Sequence, residues 1–234
     1  MHTTYTPEAL KLLLIEHDDG VLKSGDHSVG RDFCAMEFIA KIAGEPWTDS
    51  PACVHPALGA YCRVMNDAVW PSDEIRTETM LPLLAEVFGT TALVIDISRI
   101  AEWTIRIIVP IALEAAAELH LDQAHKTALR AAAKRCKAEG SLAAIDASMD
   151  AASDAARAAS AASAASYAAN AAIDATSYAA SYAVNAARAA SAASYAAKAA
   201  SYAAKAASDA AKVEIYKLSI DIVIAEIKRA KESA

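Results

Sequence analysis

The residues with the most chemical potential lie between positions 25 and 67, in GDHSVGRDFCAMEFIAKIAGEPWTDSPACVHPALGAYCRVMND. Arg31 and Arg63 carry guanidinium forks suited to phosphate or carboxylate, His27 and His55 can donate hydrogen bonds, and Trp47 offers a flat face for a base. Glu37, Asp49, Asn66 and Asp67 add acceptors and a side-chain amide. Helices starting after Gly30 and Pro56 would aim backbone amides at an anion. These nine side chains form a candidate ligand-binding site, best matched to a small nucleotide-like molecule. A purely internal use competes with it: Glu37 paired with Arg63, Asn66 and Asp67 capping a turn, and Trp47 in the core.

Two catalytic or metal chemistries draw on the same stretch. Cys34, His27 and Asp49 have the types of a thiol-dependent hydrolase, although a Cys between Phe33 and Met36 on a buried helix is more often a packing residue. Cys53, His55 and Cys62, spaced C-x-H-x6-C, lack a fourth ligand for a tetrahedral zinc site. There is no glycine-rich phosphate loop, GxSxG elbow or HExxH helix. The sequence therefore assigns no catalytic residue, no metal and no cofactor. The four cysteines have no CxxC spacing, which suits reduced thiols in a cytoplasm.

The pattern CxMEfxAxxAGEPxxDxPxC is followed by a proline-started helix closing in Asn66-Asp67 and a leucine-proline helix closing in Gly89-Thr90. It resembles a family of proteins from actinobacteria and their phages to which no activity is assigned. The likeness is carried by Cys34, Met36, Glu37, Ala43, Gly44, Glu45, Pro46, Asp49, Pro51, Cys53, Pro56, Asn66, Asp67, Gly89 and Thr90, and spans about residues 25 to 90. Members often carry Ala-rich tails. The resemblance implies an architecture and a phage-associated setting.

The elements that must position these residues read as helices throughout. Thr6-Pro7-Glu8 is a helix start, with Thr as N-cap and Pro at the first helical position, and the helix runs to about His17. Residues 18 to 31 are loop, and residues 33 to 43 have helical spacing closed by Gly44. Three prolines keep residues 45 to 56 irregular. Leu58, Tyr61, Cys62, Met65 and Val69 share one helical side, and Ser72 caps a further helix to about Val87 that bends at Pro82. The apolar spacing from residue 93 to residue 121 predicts one long buried helix kinked before Pro110. Asp122 caps a more exposed helix that stops at Gly140.

All seven glycines and all seven prolines lie at or before residue 140, which divides an N-terminal helical domain, 1–140, from an Ala-rich scaffold, 141–234. The division extends to charge. Residues 141–234 hold nine acidic and nine basic side chains, so the net charge of −7 belongs to the first part. An acidic chain without a basic block has no footprint for general DNA or RNA binding. No segment reads as a signal peptide or membrane span.

Alanine makes residues 141 onward helical by propensity, while its single methyl yields only about 0.8 kcal/mol on burial. Such helices gain stability by close backbone approach. Ser194, Ser201 and Ser208, and Lys198, Lys205 and Lys212, recur every seven residues as in a coiled coil, with Tyr167, Tyr195, Tyr202 and Tyr216 in the same phase. Either one long helix or a hairpin turning near residues 174–177 fits this spacing. Thr176 is the lone threonine of the tract, so the regular threonine ladder of helical antifreeze proteins is missing. Val213, Tyr216, Ile220, Val223, Ile224 and Ile227 then form an apolar C-terminal helix suited to anchor the tract.

The expectation is an all-α, non-enzymatic, oligomeric cytoplasmic protein. Its concrete form is a phage anti-defence sponge that sequesters a nucleotide-like immune signal. A structural or protein-inhibiting coiled coil and a thiol hydrolase are the alternatives. Because a neutral Ala-rich seam at heptad spacing favours self-association, light scattering should give a mass that is a multiple of one chain. A single-chain mass at micromolar concentration would remove the oligomeric scaffold.

Overall fold

A computed structural model describes residues 5–25, 32–119, 122–158 and 209–234. Among these, every regular element is helical and no strand is present. The helix α1 (Pro7–His17) starts as its sequence requires: Pro7 lacks an N–H where none can be used, and the Thr6 hydroxyl accepts from Ala9 N at 3.2 Å. It is followed by α2 (Ala35–Ile42), α3 (Pro56–Asn66) and α4 (Asp73–Val87), the last capped by Ser72 and holding Pro82 within it.

The stretch expected as one helix from residue 93 is divided. Leu93 N closes a turn on Thr90 O, and Asp96 caps α5 (Ile97–Trp103) through Arg99 N at 3.2 Å, so residues 93–96 stay outside the helix. A π-helical segment, Thr104–Ile108, then leads into α6 (Val109–Leu119). Pro110 cannot donate to the carbonyl four residues back, and its ring crowds that turn. The widened turn lies where a kink was expected.

The π segment has a second effect. It carries Arg106, whose guanidinium donates to the carbonyls of Lys137 (3.0 Å), Ala138 (2.6 Å) and Glu139 (3.0 Å) at the C-terminus of α7 (Gln123–Glu139). Those carbonyls have no intrahelical donor, so the arginine both satisfies them and complements the helix dipole. Gly140 ends α7 with a left-handed φ of 60°. A Cβ there would meet Arg106 Nε at 2.6 Å.

Small residues dominate the packing of α8 (Leu142–Ala158) on α7. Ala132, Ala133 and Cys136 are buried in α7, as are Ala144, Ser148 and Ala152 in α8. The Cys136 and Ser148 side chains sit 3.0 Å apart across this seam. The heptad-spaced serines and lysines, the tyrosines up to Tyr202 and the turn expected near residues 174–177 lie outside the described residues.

The last helix, α9 (Asp209–Glu232), packs against α4, α5 and the π segment. Ile215, Tyr216, Ile220, Val223 and Ile227 are buried. Each large aliphatic side chain taken from water contributes about 1.5–3 kcal/mol. Polar contacts set the register. Ser219 and Tyr61 of α3 share a buried 2.7 Å hydrogen bond, Tyr216 lies 4.4 Å from Trp70 ring to ring, and Lys231 reaches Glu86 at 2.8 Å. Glu226, only 3% exposed, accepts from Asp96 N at 2.9 Å and from the guanidinium of Arg229. Apolar residues from Leu10 to Ala230 form one continuous core, so α9 shares its interior with the N-terminal helices. Among the described residues no helix is long and apolar enough to cross a membrane.

Substituting Gly140 with Ala should destabilise the fold by about 1 kcal/mol or more, since it combines a strained φ with a clash at Arg106. Arg106→Ala should cost a similar amount by releasing three carbonyls. Urea unfolding checks both, and unchanged midpoints would contradict this role.

Candidate functional site

The site region is organised by the start of α2. Cys34 is its N-cap: Cys34 Sγ accepts from Glu37 N at 3.5 Å, and the Glu37 carboxylate accepts from Cys34 N at 2.8 Å. This reciprocal box satisfies two backbone donors that the helix itself leaves open. Glu37 is 2% exposed, and the box gives its carboxylate a backbone donor at that buried position. The next donor, Ala35 N, goes to Asn66 Oδ1 at 3.1 Å.

Asn66 and Asp67 close α3 and act as a clamp. Asn66 Nδ2 donates to Lys23 O (2.7 Å) and Asp67 Oδ1 (3.0 Å), and Asp67 Oδ1 also accepts from Gly25 N at 2.7 Å. The other side of that loop is held by α4, where Thr77 Oγ1 accepts from Leu22 N at 2.8 Å and Arg76 donates to Leu22 O at 3.0 Å. The proline-rich turn is built the same way. The Glu45 carboxylate accepts from Ala52 N (2.6 Å) and Cys53 N (2.9 Å), which bends residues 45–53 back on themselves.

Arg63, in the last turn of α3, ties that turn down. Its Nη1 donates to Asp49 O at 2.8 Å and Ser50 Oγ at 3.1 Å, while Nε stands 3.7 Å from Asp49 Oδ2. Between the two clamped loops lies a cleft of about 220 Å³, lined by Gly25, Cys34, Asp49, Arg63, Asn66 and Asp67. Asp49, Arg63, Asn66 and Asp67 were all candidates from their types alone. Cys34 was considered as a thiol nucleophile rather than a ligand-binding residue, and Gly25 was not a candidate. The C-x-x-E spacing of Cys34 and Glu37 is the sequence signal that would have marked the box.

The remaining candidates are placed elsewhere or lie outside the described residues. Glu37 caps α2, and Arg63 pairs with Asp49, so the ion pair expected between Glu37 and Arg63 is replaced by these two partnerships. Trp47 packs its ring 5.0 Å from Phe33 as part of the core margin. His55 caps α3 by accepting at Nδ1 from Ala57 N at 3.2 Å, and its backbone N–H donates to Thr90 Oγ1 at 3.0 Å. Burial lowers its pKa and favours the neutral ring. Thr90, fully buried, also donates to Val87 O at 2.7 Å, which explains the Gly-Thr ending of the motif. His27 and Arg31 are outside the described residues.

The thiols are suited to packing. Burial pushes Cys34 up to about 12, partly offset by backbone donors, and burial beside Glu45 pushes Cys53 up to about 11. Cys62, wholly buried, is also raised. Among the described residues no three His, Cys, Asp or Glu side chains are grouped to hold a metal, so Cys53, His55 and Cys62 form no such site.

These observations define a class: a protein whose described residues form helices alone, with a small, polar, internally braced cleft. Comparison with family models, curated proteins and solved structures found no match.

Cys34 should resist alkylation at pH 8 in the folded protein and react on unfolding, as followed by peptide mass spectrometry. The linkage sign agrees: an unfolded thiol ionises from its ordinary 9.0, while the folded one holds its proton to about 12. Its contribution is therefore complete below pH 9.0 and lost as pH rises through that window. Rapid native modification would instead place a thiolate in the cleft.

Proposed function

We propose that this chain is a non-enzymatic binding protein whose cleft at Cys34, Asp49, Arg63, Asn66 and Asp67 takes a small polar ligand. The observation that carries this reading is the convergence of Asp49, Arg63, Asn66 and Asp67 on one cavity whose walls are held by hydrogen bonds to backbone. Bracing of this kind lowers the ordering cost of binding. At about 220 Å³ the cavity is below the roughly 300–1,000 Å³ of drug-sized pockets, so it suits one polar part of a nucleotide-like molecule. In its sharpest form the protein is a phage-derived sponge that holds a small immune signal away from its receptor. The phage-like sequence motif supports that form. A neutral thiol at Cys34 favours binding over nucleophilic chemistry.

The Ala-rich tract would join copies of this unit through close-packed helices. The seam between α7 and α8, built from Ala, Ser and Cys side chains, is a described precedent for such packing within the chain. The same seam favours a second reading, a coiled-coil interaction protein without a ligand. Shortening the tract by one heptad would abolish activity under that second reading while leaving ligand binding intact.

A thermal-shift screen against cyclic nucleotides and ADP-ribose derivatives, with mass spectrometry of co-purified small molecules, should reveal a stabilising ligand. A ligand at a hundred times its Kd stabilises by about 2.7 kcal/mol, which a shift in Tm would register. Absence of any shift and of any co-purified molecule would overturn the binding reading.

A further inference from the structure

Arg63 is held in an incomplete way. Among the described residues its hydrogen bonds run from Nη1 to two neutral acceptors, Asp49 O at 2.8 Å and Ser50 Oγ at 3.1 Å. These fix the plane of the guanidinium without using its charge. Among the described residues the carboxylate that pairs with it, Asp49 Oδ2, stands 3.7 Å from Nε, beyond hydrogen-bond distance. The Nε and Nη2 edge, the two parallel donors that grip an oxyanion in bidentate fashion, is therefore oriented and takes no hydrogen-bond acceptor among the described residues.

Asp49 is a weak occupant of that edge. Its side chain is 46% exposed, and its other oxygen, Oδ1, accepts from Ser50 Oγ at 3.0 Å. It can swing toward water while its own carbonyl keeps Arg63 in place. The second carboxylate of the cleft, Asp67, is not comparable. Gly25 N and Asn66 Nδ2 both donate to its Oδ1, and they spread its charge. The backbone of residues 49–53 need not move for the exchange, since Glu45 holds Ala52 and Cys53 independently.

Resting on the binding reading above, we infer that the cleft is an oxyanion seat in which the Asp49 carboxylate is a built-in competitor. A ligand's phosphate or carboxylate group takes the Nε and Nη2 edge of Arg63 and displaces the Asp49 side chain outward. The loose pair keeps the arginine from collapsing onto Asp67 when no ligand is bound. It also sets a threshold that a weakly held anion does not cross.

Calorimetric titration of the full chain with inorganic phosphate, acetate, adenosine and adenosine monophosphate tests this, in wild type and in the Asp49→Asn and Arg63→Lys variants. The exposed Asp49 and the conservative lysine limit the risk of misfolding, which circular dichroism checks directly. The expected result is that an anionic probe binds, that Asp49→Asn tightens it by roughly threefold to tenfold by removing a screened charge, and that Arg63→Lys weakens it by roughly tenfold by losing the fork. Phosphate against acetate separates the two sources of the oxyanion. If adenosine binds as well as its monophosphate, or if Asp49→Asn leaves anion affinity unchanged, the oxyanion seat falls while the cleft remains a binding site. If none of the four probes binds and the wider ligand screen is also empty, both fall.

Discussion

A backbone amide or carbonyl shut away from water must find a partner, and in this protein the short helices leave many of them stranded in the connections. Side chains from distant elements meet that demand. Glu45 takes two amides of the proline-rich turn, Asn66 spans an amide of α2 and a carbonyl of the preceding loop, and Thr90 takes the amide of His55. Thr77, Arg106 and Glu226 do the same for Leu22, the end of α7 and Asp96. The polar residues in the most motif-rich part of the chain are mostly engaged with the backbone. Their geometry is what keeps residues 18–25 and 45–53 at fixed distances from one another and leaves a cleft between them.

Local chemistry was readable where it is local. Thr6, Ser72 and Asp122 announce helix starts because an N-cap needs only a small acceptor and a neighbouring helix former, and Gly140 announces a stop because only glycine accepts its φ readily. The kink before Pro110 was visible for the same reason, although its form as a π turn was not. What could not be read is partnership across sequence distance. Glu37 looked like a partner for Arg63 because opposite charges invite pairing, yet a carboxylate three residues after an N-cap has a nearer donor. Glu226 was not singled out within its apolar helix. It is buried because an amide 130 residues earlier in the chain needs an acceptor.

The candidate site shows the same division. Residue types pointed to Asp49, Arg63, Asn66 and Asp67, and the fold gathers these four on one cavity. They do different work within it. Asn66 and Asp67 are committed to the walls by several hydrogen bonds each, whereas Arg63 is fixed by one nitrogen and Asp49 by a neighbouring serine. A loosely held guanidinium and a tightly bonded wall residue thus stand three positions apart in the last turn of α3. His55 and Trp47, attractive as hydrogen-bond donor and stacking platform, are absorbed into helix capping and core packing.

The docking of α9 also bears on how the chain is born. Tyr61 meets Ser219, Val69 meets Tyr216, and Glu86 meets Lys231, contacts separated by 158, 147 and 145 residues. A chain emerging from the ribosome can form α1 to α4 early, but the groove that receives Ile220 and Ile227 stays open until those residues have left the exit tunnel. During translation the apolar faces of α4 and α5 are uncovered for the time needed to make more than a hundred further residues, roughly 5–20 s at 5–20 residues per second. Within that interval the growing chain depends on something other than its own last helix to shield those faces.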